Sequence, residues 1–308
     1  MAVNLDGSKR GNPNVAALLS WFVPGAGHVY LGSFGWGLAL FALTDGLYWL
    51  GLQLSHGMSF EFLDPELRTV VAPILSPEIG NLGGVLWQMK HFGYGPGFPR
   101  PWPEGIVLGS MLSASAGMLN GLVMCHAHTL ARAGSSAVAT RPVLSTALAW
   151  LVPGLGHFHQ GRKLRGAVVF VLLVGLFALG SAMAEGSNLS RERHFYYWAG
   201  QFVMGLPAIV SELVWGGMRV TRDIPYVEAG LVFGCVAGLL NVLAMLDVYA
   251  FGEARAFGWP LKSGHPDAGS SVQSGHPDAG SSVELGSSAV ERGASTIPST
   301  QTSEQVST

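Results

Sequence analysis

The stretch Trp21-Phe22-Val23-Pro24-Gly25-Ala26-Gly27-His28 returns in mid-chain as Trp150-Leu151-Val152-Pro153-Gly154-Leu155-Gly156-His157. The likeness continues downstream, where Gly32 answers to Gly161, Gly37 to Gly166, Phe41 to Phe170, Gly46 to Gly175 and Leu47 to Leu176. A repeat of this length constrains the fold more than any other feature: each copy is one supersecondary unit, and the chain is two of them in tandem. The second motif lies in mid-chain, so the first, despite Lys9 and Arg10 ahead of an apolar run and small residues at 25–27, reads as mature fold and not as a signal peptide.

Composition places both copies in a bilayer. Charged residues make up 12% of the 308, against a usual ~25%, and 49% are hydrophobic. A net charge of -2 offers no basic field for nucleic acid. The two cysteines, Cys125 and Cys235, lie in apolar runs without metal-ligand spacing and read as core residues. Stretches at 35–55, 105–130, 164–184, 195–217 and 227–250 are long enough to span, with shorter apolar segments at 15–23 and 143–159. Residues 56–104, broken by Pro73, Pro77, Gly80, Gly83 and Gly84, read as a broken span or an interfacial piece, followed by an aromatic-rich loop at 94–103.

These segments predict an all-α polytopic transmembrane bundle. Its parts are a polar N-terminus at 1–13, a first repeat at 14–130, a flexible linker at 131–142, a second repeat at 143–256 and a disordered tail at 257–308. The tail prediction rests on a duplicated ten-residue stretch (263–272 and 274–283) and on Ser, Thr and Gly richness with no apolar period. Basic residues at 9–10, 132 and 141, and 255 and 262 gather on one side if each half crosses an even number of times. Arg162, Lys163 and Arg165 break that pattern unless the Pro-Gly turns are re-entrant.

In the motif, Pro24 and Pro153 end a helix because proline has no N–H to donate. The flanking glycines Gly25, Gly27, Gly154 and Gly156 permit a tight reversal that delivers His28 and His157 just beyond it. The bland role for these histidines is to hydrogen-bond a carbonyl freed by the proline; the sharper one is a metal ligand or proton carrier, with His159 as a third member. A second constellation lies in the last helix of each half, where Gly109, Ser113, Gly117 and Asn120 align with Gly230, Gly234, Gly238 and Asn241. Small residues four apart let helices approach closely, so these two helices are expected to pack on each other near a pseudo-symmetry axis, with the asparagines bonding across. Asp45 and Glu212 are intramembrane acids and functional candidates on that ground. Asp247 aligns with His126, falls outside the repeated pattern and carries less weight.

The turn resembles an uncharacterised bacterial family of polytopic membrane proteins with the pattern Pro-Gly-x-Gly-His-x-Tyr-x-Gly-x-x-x-x-Gly, and more distantly the two-transmembrane-helix domain family. The first copy matches through Pro24, Gly25, Gly27, His28, Tyr30, Gly32 and Gly37, and the second through Pro153, Gly154, Gly156, His157, Gln160, Gly161, Arg162 and Gly166. His159 stands where the pattern has tyrosine, and Ser33 where the second copy has Arg162. The resemblance implies a bacterial inner-membrane location and no activity. No nucleophile, phosphate-loop or zinc-protease motif occurs, and no metal or cofactor is implied. The expected function is a non-enzymatic packing, organising or accessory membrane protein. Its partners are the lipid bilayer and either another membrane protein or a second copy of the chain. A small-solute transporter or channel is the alternative, and a metal-dependent intramembrane enzyme is the third reading.

Overall fold

The computed structural model describes residues 11–98, 100–134, 136–191, 193–216 and 223–259. Most of the expected polar N-terminus and all but the first three residues of the expected disordered tail lie outside these ranges. The described residues form α-helices joined by short 3-10 turns and loops, and four helices are long and apolar enough to cross a membrane. These are α3 (Phe34–Ser55), α6 (Ile106–Ala133), α9 (Lys163–Met183) and α12 (Val227–Phe257). Of these, α3, α9 and α12 carry large outward-facing side chains such as Leu43, Val171, Leu172, Leu243 and Leu246, about 60% exposed, while α6 is mostly buried. That belt suits acyl chains and not water. The chain is therefore an all-helical integral membrane protein.

Each copy supplies two spans, and the remaining apolar segments enter the bundle partway and return. In the first copy α1 (Pro13–Phe22) starts from Asn12, whose side chain accepts from the N–H groups of Asn14 and Val15. It stops at Pro24, and α2 (Ala26–Tyr30) runs back beside it: Gly27 packs against the Ala16 carbonyl, and the Tyr30 hydroxyl accepts from the N–H of Asn12. From the opposite end, residues 71–80 dip inward through the four-residue α4 (Val71–Ile74) and a 3-10 turn at Pro77–Gly80, and α5 (Leu82–Phe92) carries the chain back out. The second copy repeats the plan. Here α7 (Ser136–Leu151) and α8 (Leu155–His159) form the first hairpin, and α10 (Phe195–Phe202) with α11 (Leu206–Trp215) the second. The correspondence extends to single contacts. Gly57 abuts Phe92, and Gly186 abuts Trp215, at matching places.

The two incoming pieces of each copy meet inside the bundle. The Trp21 indole donates to the Ile79 carbonyl at 2.8 Å, Gly83 lies against the Phe22 carbonyl, and Gly205 lies against the carbonyls of Trp150 and Leu151. The span expected at 195–217 is thus two short helices. The cause is local: Gly205 takes φ +66°, which an ordinary residue avoids, and Pro207 in the next turn cannot extend a helix backwards. The linker expected at 131–142 is mostly helical as well, since α6 runs to Ala133 with Gly134 as its left-handed cap and α7 begins at Ser136. Pro142 is accommodated inside α7, packed against Gly252 of α12.

The small-residue stripes act within each copy and not between the two last helices. Gly109 and Ser113 of α6 lie against Gly51 and Ser55 of α3, while Gly117 meets the Pro77 carbonyl. Gly230 and Gly234 of α12 lie against Gly180 and Ala184 beside α9, while Gly238 meets the Gly200 carbonyl. The expected α6–α12 seam is replaced because these faces are consumed by closer backbone approaches inside each copy. The two helices touch instead near their C-terminal ends, through Thr129 and the Tyr249 hydroxyl at 3.3 Å and the Arg132–Glu253 pair at 2.9 Å.

Neither asparagine bonds across that seam. The Asn120 amide donates to the carbonyls of Ser20 and Gly80, each at 2.9 Å, and the Asn241 amide donates to the Val203 carbonyl at 3.0 Å. Ser20 needs this donor because the residue four further on, its normal helical partner, is Pro24. A further buried bond joins the copies: the Arg191 guanidinium pairs with the Glu78 carboxylate at 2.8 Å, both within 1% of full burial. Ser76 and Ser113 donate to the same carboxylate, and the ring of Trp198 faces the guanidinium at 4.3 Å.

Asn120→Ala orphans two carbonyls, the buried one of Ser20 and the part-buried one of Gly80, and Asn241→Ala the buried one of Val203. At about 1–3 kcal/mol per unsatisfied group, the first variant is expected to lose roughly twice the stability of the second. Denaturant titration in detergent micelles checks this; equal losses would remove the carbonyl-capping role.

Candidate functional site

The repeated turn is a hydrogen-bonded reversal. The Ala26 N–H donates to the Val23 carbonyl at 2.9 Å, and the Leu155 N–H to the Val152 carbonyl at 3.0 Å. Gly25 (φ +81°, ψ -10°) and Gly154 (φ +87°, ψ -23°) hold the third position of a type II turn, with proline in the second, where its fixed φ suits the geometry. A side chain at either glycine would also collide with backbone of the next span, at Gly37 or Gly166. The motif's glycines are therefore accounted for by backbone packing, and its histidines remain.

His28 and His157 are both buried, and each reaches the last helix of its own copy with Nε2. His28 Nε2 lies 2.7 Å from His126 Nδ1, with the rings stacked. His126 Nε2 lies 3.0 Å from the Thr140 hydroxyl, which itself donates to the Ser136 carbonyl at 2.7 Å. That last bond fixes the rest: Thr140 must accept, so His126 carries its proton on Nε2, and His28 donates from its own Nε2. The result is a directed chain from the turn of the first copy to the start of α7. In the second copy His157 donates to Asp247 at 3.1 Å, and the same carboxylate accepts from Arg162 at 2.7 Å and Arg165 at 3.4 Å.

Neither histidine bonds a carbonyl freed by the proline; in the first copy Asn120 holds that place. The two do not converge on each other or on His159, which bonds Ser145 at 2.8 Å. Among the described residues no three His, Cys, Asp or Glu side chains group as a metal would require. The other acidic candidates lie elsewhere. Asp45 accepts from Asn81 at 2.7 Å beside a cleft of about 330 Å³ at the first copy's break, and Glu212 is half-buried on α11.

Asp247 is the residue that sequence reasoning undervalued. It occupies the position of His126 and takes the same role, partner to the motif histidine. The sequence held a signal for it, in three positions that change together. Ser33, Trp36 and His126 of the first copy correspond to Arg162, Arg165 and Asp247 of the second. In the first copy Trp36 and His126 are neighbouring rings, 6.4 Å between centroids; in the second, arginine and aspartate replace both and pair ionically. A neutral contact has been exchanged for a charged one at one place in the fold.

The arginines that broke the expected charge pattern also fall into line. Arg162 and Arg165 join Arg132 and Arg255 around the C-terminal ends of α6 and α12, where Phe251 lies under both Arg162 and Arg255. Among the described residues this end carries Arg132, Arg141, Arg162, Lys163, Arg165 and Arg255 against only Asp247 and Glu253. It is a basic face. Between the two copies on that face lies a cavity of about 920 Å³, into whose wall Thr140 brings the end of the histidine chain.

This is the architecture of a duplicated membrane module: two spans and two incoming hairpins per copy, with the first hairpin's histidine tied to the last span. The chain belongs to a family of unknown function (DUF6677), which it matches twice, over residues 15–137 and 144–259. No significant match was found among curated proteins or among solved structures.

The short helices α2 and α8 lie outside the four spanning helices, and burial holds their histidines neutral. His28 is lowered to about 4 by burial and by the facing His126, and His157 is lowered by burial against the opposing pull of Asp247. An unfolded histidine takes its proton near 6.5, so between about 6.5 and 4 the unfolded state binds more protons. Stability is therefore complete above that window and falls as pH drops through it. The apparent Tm in detergent is expected to decrease from pH 7 to pH 5, with a shallower slope in His28→Gln; an unchanged slope would detach His28 from the effect.

Proposed function

We propose that the protein is a non-enzymatic accessory or organising protein of the bacterial inner membrane, acting through its lipid belt and its basic face. One observation carries this reading. The discontinuities that a transporter would use as a passage are closed by backbone lying on backbone: Gly83 on Phe22, Gly117 on Pro77, Gly205 on Trp150 and Gly238 on Gly200. Closures of this kind leave no room for a solute without moving main chain. The positive-inside rule assigns the basic face, with its six cationic side chains, to the cytoplasm. Because the small-residue stripes are spent inside each copy, contact with a membrane partner or a second copy falls to the outward apolar faces of α3, α9 and α12.

The transporter reading retains one specific observation in its favour, the duplicated broken segments with Asp45 beside the first of them. Accessibility separates the two. With Cys125 and Cys235 replaced, single cysteines at Ala26 and Leu155 are expected to resist a membrane-impermeant maleimide applied to either side of sealed vesicles. Labelling within minutes at both positions would put water at the turns and favour transport.

A further inference from the structure

The 920 Å³ cavity on the basic face is lined by Arg141 and Arg255 together with His159, Thr140, Ser145 and Trp36. None of its lining residues is acidic. The two carboxylates of this face are already engaged, Asp247 by Arg162 and His157 and Glu253 by Arg132. Arg141 and Arg255 are exposed, and neither has an ion-pair partner among the described residues. The first turn of α7, residues 136–138, forms part of the wall, and the leading N–H groups of a helix have no acceptor within it. Two guanidinium groups and a helix start around one hollow are the donor set of a phosphate site.

The size and the rim identify the source of the phosphate. A bare phosphate would leave nearly all of 920 Å³ empty, whereas a headgroup with its glycerol fits inside the hollow with room for bound water. On one side the wall is Trp36, 55% exposed, on the same helix as the outward-facing Phe34 and Leu38. The cationic hollow thus adjoins the lipid belt, with room for a headgroup inside and acyl chains outside. We propose that this cavity binds the phosphate headgroup of an anionic phospholipid, clamped by Arg141 and Arg255 and flanked by Trp36. The site goes beyond the organising role above and stands whether or not that role holds, since it depends on this face alone.

The test uses the full-length protein, delipidated in an uncharged detergent, and reads the thermal midpoint against added ligand. Dihexanoyl phosphatidylglycerol is expected to raise the midpoint at a concentration at least about tenfold below that needed for dihexanoyl phosphatidylcholine. The double variant Arg141→Gln, Arg255→Gln should weaken the phosphatidylglycerol response by about tenfold or more, the equivalent of one charge-assisted contact or more. Lys163→Gln, on the same face but outside the cavity, should leave it unchanged. Both arginines are exposed, so the double variant is expected to fold, and the single variants read the same shift should it not. A response to glycerol 1-phosphate equal to that of the lipid would assign the site to a soluble phosphate and overturn the lipid assignment. Equal responses to the two lipids, or a double variant that responds as the parent does, would overturn the site itself.

Discussion

A carbonyl left without a partner where a helix breaks inside a bilayer must be satisfied by the protein, because no water is there to do it. This chain breaks helices on purpose, twice in each copy, and the rest of the structure follows from how those breaks are covered. In the first copy Pro24 removes the donor that Ser20 would have used, and Asn120 restores it from a neighbouring span while also holding Gly80 of the piece entering from the other end. One amide joins three segments. In the second copy Asn241 reaches the piece containing Val203, and glycine brings the main chain of the other piece close enough to close the gap. Such economy requires last helices that are mostly small residues along one edge, which is what α6 and α12 are.

The same logic explains why the two copies hold together without a long helix seam. Glu78 and Arg191 are each far from water, and an isolated charge in that place would cost several kcal/mol. Two serines and an aromatic ring complete their surroundings, so each copy supplies what the other's buried charge requires. The pair makes the copies interdependent more surely than it makes them stable, since a well-packed apolar substitute could equal it.

Much of the architecture was legible because it is periodic or duplicated. Spans α3, α6, α9 and α12 follow from the length of apolar runs, and the double motif announced the repeat. The break in the stretch 195–217 was not, because its composition is that of a span; only Gly205 and Pro207 mark the interruption, and single glycines and prolines are tolerated in spanning helices. The partners of the small residues were hidden for another reason. A stripe of glycine tells that something comes close, not which of several segments does. For the site, the motif histidines were visible and their partners were not. His126 and Asp247 differ in type, and a search for repeated residues passes over a position whose role is kept while its chemistry changes.

That exchange has an evolutionary consequence. Immediately after a duplication the two halves are identical, and either could serve in either place. Once the second copy held aspartate with two arginines where the first held a histidine beside a tryptophan, the halves ceased to be spare parts for one another. A chain assembled from two first halves would lack the arginines that carry the basic face at α9. One assembled from two second halves would bring an acid to the end of α6 and lose the histidine that reaches Thr140. The order of the halves has become part of the protein's identity, recorded in three side chains.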